Sequence, residues 1–76
     1  MSADELQTLR TMGATLRDAR VAASMSLADL AEQTGVSKGN LSKIEHGSNA
    51  TVTTLYRICR ALDLHPRYVL PDFAKP

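Results

Sequence analysis

Ser37, Lys38, Ser42, Lys43 and His46 lie within ten residues of one another, and each can donate a hydrogen bond. On a helix that buries Leu41 and Ile44, the 100° step per residue turns Gly39, Ser42, Lys43 and His46 to the opposite side and leaves Lys38 in the exposed first turn. A row of donors suits an acceptor-rich partner. Lysine can donate to O6 and N7 of guanine, and serine to base or phosphate oxygens. Lys43 on this face would reach either a base edge or a phosphate. Gly39 carries nothing to read with, but lets the backbone come close, and Asn40 faces sideways, within reach of a nucleic-acid backbone. His46, near the helix end, suits the helix dipole or a phosphate.

Other chemistry has little support. His46 and His65 have no nucleophile or acid nearby in sequence, no metal-ligand spacing occurs, and no glycine-rich phosphate loop is present. Neither catalytic residues nor a metal or cofactor site is expected. The lone Cys59 has no second thiol, and its neighbours Leu55, Ile58 and Leu62 place it on the buried side of a helix as a packed core thiol.

The donor row has to be positioned by residues 26–47, SLADLAEQTGVSKGNLSKIEHG. They predict two short helices joined by a tight turn, the outline of a helix-turn-helix. Leu27, Leu30, Ala31 and Thr34 share one face of the first helix, and Leu41 and Ile44 one face of the second. Ser26 with Asp29 caps the first helix, Gly35 ends it in the left-handed conformation, and Ser37 caps the second. Ala31 is small where two steeply crossed helices approach. A leucine there would overpack the crossing by about 1–3 kcal/mol.

LADLAEQTGVS, NLSKIEHG and TLYRICRALDL, in this order and spacing, resemble the Cro and lambda-repressor family, also called the xenobiotic-response-element family of transcription regulators. The resemblance covers about residues 11–70. It implies an all-α, five-helix, lambda-repressor-like DNA-binding domain whose second and third helices form the helix-turn-helix. It also implies that Ser37, Lys38, Gly39, Ser42 and Lys43 enter the major groove. Free N–H groups in the first turn of the second helix, at Ser26, would hold phosphate. The family frequently has a glutamine at the second position of that helix; Leu27 stands there instead and removes one polar anchor. The loop carrying Ser48 and Asn49 is polar rather than basic and would hold phosphate with amides and hydroxyls.

The rest of the chain frames this unit. A first helix is predicted over 3–23, started by Ser2 and Glu5 and striped by Leu6, Leu9, Met12, Leu16 and Ala19. Residues 1–10 form an extension, either a solvated lead-in or an arm for the partner subunit or DNA. Gly47 ends the third helix, Thr51 caps a fourth running to about Leu62, and Pro66 opens a fifth that Pro71 closes, with 71–76 as a tail. Seventy-six residues read as one domain, 1–76, small enough to need a tight helical core or a partner.

Net charge is only +1, yet residues 35–61 carry Lys38, Lys43, Arg57 and Arg60 against Glu45 alone. No apolar run approaches the roughly 20 residues that span a bilayer, and the N-terminus lacks a signal-peptide pattern, so a cytoplasmic protein is expected. These features together predict a homodimeric repressor of a palindromic double-stranded operator, with no small-molecule effector and no membrane partner. Tyr68, Val69, Leu70 and Phe73 form an apolar group at the subunit contact, with Tyr68 and Phe73 expected to face the partner and Val69 or Leu70 to close the subunit's own core. An antitoxin or adaptor on the same fold, with a protein as main partner, is the alternative; the basic outer face of the third helix argues for DNA.

Overall fold

The computed structural model describes residues 1–71. Four α-helices follow one another: α1 (Ala3–Ala22), α2 (Leu27–Thr34), α3 (Lys38–Glu45) and α4 (Val52–Ala61). A 3-10 turn, Pro66–Tyr68, stands where a fifth helix was expected. Only a handful of residues separate Pro66 from Pro71, and proline disfavours helical geometry in the residue before it, so the segment closes one turn and stops.

Each helix begins where a side-chain oxygen takes up a backbone N–H. The Ser2, Ser26, Ser37 and Thr51 hydroxyl oxygens accept from Glu5, Asp29, Asn40 and Thr54 at 3.0–3.1 Å. In α1 and α2 the acidic residue returns the bond to the cap's own N–H, completing a capping box. The Asp29 carboxyl is held below its ordinary range, first by the Ser26 N–H and then by the Ser26 side chain. Gly35 ends α2 at φ +74°, as its position predicted. Three other ends close by one device, with Met25 N–H donating to Arg20 O, Ser48 to Lys43 O and Leu64 to Cys59 O. The left-handed residue in these closures is Ser24, Gly47 and Asp63 respectively.

The core is Leu16, Leu30, Val36, Leu41, Ile44, Ile58, Cys59 and Val69, with Leu27, Ala31, Leu55 and Leu62 packed around it. α3 packs on both α1 and α2, and α4 packs on α2. The stripe expected on the first helix holds at Leu16, weakens through Met12 and Leu9, and fails at Leu6, which is exposed. α1 has 20 residues, about 30 Å, and every residue of it before Thr8 is exposed, so the stripe has no core to meet at its start. Gly13 is buried for a reason its sequence does not announce. A Cβ built there would lie 2.7 Å from the Glu45 carbonyl oxygen and nearer still to that of Ile44, so its absence lets α1 rest on the backbone of α3.

Candidate nucleic-acid interface

α3 is fixed on its inner side and free on its outer side. Leu41 and Ile44 sink into the core, and Glu45, one residue further, is buried with them. A lone carboxylate there would cost several kcal/mol, so the charge has to be matched. Arg20 matches it from α1: Nε donates to Oε2 at 2.7 Å and Nη2 to Oε1 at 3.1 Å, while Nη1 donates to the Met25 carbonyl at 2.8 Å. The side chains are 13% and 5% exposed. The bond from Glu45, before its charge, raises the Arg20 pKa, so the guanidinium stays charged. One fork thereby ties the end of α1, the turn into α2 and the last residue of α3. In the charge balance of residues 35–61, Glu45 is the one acidic residue set against the lysines and arginines, with no partner assigned to it. Yet four residues turn the helix by about 400°, which puts Glu45 only about 40° from Leu41, inside the buried sector. That angle was the available signal for the pair.

With Glu45 neutralised internally, nothing acidic on α3 offsets its lysines. Ser37, Lys38, Gly39, Asn40, Lys43 and His46 are exposed, and Ser42 is half-buried at the edge of the face. Among the described residues neither lysine takes part in an ion pair. Gly39 has no heavy atom within 4 Å of where a Cβ would stand, so the fold does not require glycine at that position. His46 Nδ1 donates to the Ser42 carbonyl at 2.7 Å, which ties the ring to the end of its own helix.

The flanks differ from the outer face. Ser26 is exposed, but its hydroxyl oxygen and its N–H are both engaged by Asp29, at 3.0 and 2.9 Å. The first turn of α2, read as an open anion site, is thus partly filled by its own carboxylate. Leu27 packs against the core. Ser48 and Asn49 are exposed; the Ser48 N–H closes α3 and Asn49 Oδ1 accepts from the Ala50 N–H at 2.9 Å.

The predicted dimer residues separate. Tyr68 and Leu70 are 67% and 41% exposed, whereas Val69 is 5% exposed inside the subunit's own core. Val69 therefore has little surface to offer a partner and takes the core-closing place expected of Val69 or Leu70. Phe73 lies outside the described residues.

The helix-turn-helix family profile matches residues 16–69, most of the chain. No curated protein matches. Among solved structures, this chain is similar to the restriction-modification controller protein C.AhdI from Aeromonas hydrophila. The two are 27% identical, with a TM-score of 0.77 over 91% of this chain and all of that one. The chain belongs to the helix-turn-helix family of the xenobiotic-response-element type, and it is a small all-helical, DNA-binding transcription regulator.

Proposed function

We propose that this regulator is a homodimeric repressor, reading a two-fold symmetric operator with the outer face of α3 in the major groove. The carrying observation is the division of α3 into a face locked by Leu41, Ile44 and the Arg20–Glu45 fork, and a face whose Lys38 and Lys43 are exposed and form no ion pair among the described residues. The eight residues of α3 span about 12 Å, close to the width of the major groove. Lys43, on the second turn and nearest the groove floor, takes a base edge. Lys38, Ser42 and Ser37 flank it, with Gly39 admitting the backbone and Asn40, His46, Ser26, Ser48 and Asn49 set toward the phosphates. Tyr68 and Leu70, with Phe73, form the subunit contact. Bound across its operator, the dimer excludes polymerase, and its own concentration sets occupancy. Similarity to a protein described as a restriction-modification controller supports control of gene expression over an adaptor role.

Competition titration of Lys43→Ala against single-base operator variants tests the assignment. Loss of a base contact weakens the cognate site by about 1–3 kcal/mol and relaxes preference at one position per half-site. Equal weakening on every sequence would move Lys43 to the phosphate-contacting group.

A further inference from the structure

α1 carries three arginines, and two of them are spoken for. Arg20 holds Glu45, and Arg17 lies 3.8 Å from Asp18. The Arg10 side chain forms no hydrogen bond or ion pair among the described residues, and the residue is exposed. Its stem nonetheless lies close against Gly47. A Cβ on Gly47 would stand 2.9 Å from Arg10 Cγ and 3.4 Å from its Cα, so the arginine stem crosses the residue that ends α3. Gly47 has φ +103°. Glycine is thus required there twice, for the left-handed turn and for the room the stem occupies. The result is an apolar stem packed down and a charged head left without a protein partner.

The seat lies at one end of α3. A helix laid in the major groove has a phosphate backbone on either side of it, within reach of side chains seated at its ends. At the C-terminal rim the neighbouring Ser48 and Asn49 are polar but uncharged, and Arg10 adds a cation there from outside α3, beyond Lys43 in its last turn. We infer that Arg10 clamps a DNA backbone phosphate at this rim, with Gly47 as its seat. The planar guanidinium fork matches a phosphate's oxygens with two parallel N–H donors. This assignment rests on the reading of α3 as the groove-reading helix. It adds a contact from α1, an element outside the helix-turn-helix.

The test uses the full-length protein and the duplex that wild type selects, with affinity measured from 50 to 200 mM KCl. Arg10→Ala weakens binding about five-fold for each Arg10 lost at 0.15 M salt, and reduces the slope of log K against log salt by about 0.9 per contact. The rank order of single-base variants stays as in wild type. Arg10→Lys keeps the slope, and Arg17→Ala, about two turns further along α1, changes neither quantity. A methylphosphonate placed at the contacted phosphate makes wild type and Arg10→Ala bind alike. Circular dichroism melts confirm that the variants are folded; should Arg10→Ala be unstable, Arg10→Gln keeps the stem and reports on the charge alone. A folded Arg10→Ala or Arg10→Gln protein with the wild-type salt slope overturns the assignment while leaving the role of α3 intact. A wild-type protein that selects no duplex overturns both.

Discussion

Gly13 and Gly39 are both helical glycines, and their surroundings give them opposite fates. Alanine is about 1 kcal/mol better than glycine inside a helix. At Gly39 nothing lies within 4 Å of the added methyl, so Gly39→Ala raises the melting temperature; if the backbone there approaches DNA closely, the same methyl lowers operator affinity. At Gly13 the methyl meets two backbone carbonyl oxygens that cannot move without shifting α3, so Gly13→Ala lowers the melting temperature despite its better propensity. Thermal melts of the two variants side by side check this; a stabilised Gly13→Ala would remove the close approach from the account. Cys59 is a third residue-scale case. Burial pushes its thiol pKa up, which keeps it protonated and out of reach. A disulfide reagent should leave the native protein unmodified for as long as it stays folded and react promptly in denaturant; rapid native labelling would contradict a packed core thiol.

Among elements, α2 and α3 could be read almost completely from sequence. Their caps, their apolar stripes and the glycine between them are all local signals, and each stands where the pattern put it. What escaped is non-local or conformationally unmarked: the Arg20–Glu45 fork spans 25 positions, and Ser24 and Asp63 take left-handed turns that glycine usually marks. The fork is the element-scale linchpin. Glu45→Ala strands a part-buried guanidinium and costs at most about 3–5 kcal/mol, against a total on the order of 4–11 kcal/mol for a domain of this size. Replacing both partners by methionine recovers much of that stability. Because the pair also orients α3, the double variant should discriminate operators less well than its melting temperature suggests. Chemical denaturation alongside operator titration measures both; a double variant with wild-type discrimination would reduce the fork to a packing role. The α2 cap carries a pH dependence of known sign. Asp29 has a lowered folded-state pKa, so its contribution is complete above the ordinary carboxylate pKa and is lost as pH falls through the folded value. Asp29→Asn should remove that part of the decline in melting temperature below about pH 4 and leave the slope from pH 5 to 8 unchanged. An unaltered acid limb would remove Asp29 from the linkage.

At the scale of the whole molecule, one α3 supplies too few contacts for useful specificity, and two subunits double them. The exposed Tyr68 and Leu70 beside the terminal 3-10 turn are the surface this account gives to pairing. Tyr68→Ala should weaken self-association in sedimentation equilibrium without lowering helix content, since the ring is not part of the core. An undiminished dimer would shift the contact to the N-terminal end, where Met1, ahead of α1, and Leu6, in its first turns, are also exposed. Symmetry in the protein must then appear in its target. Selection of wild-type protein on random duplexes at moderate salt is the most direct measurement. It should enrich a two-fold symmetric motif with half-site centres about 34 Å apart, one turn of the double helix. Enrichment of no motif would contradict sequence reading by α3, and enrichment of a single unrepeated half-site would contradict the dimer.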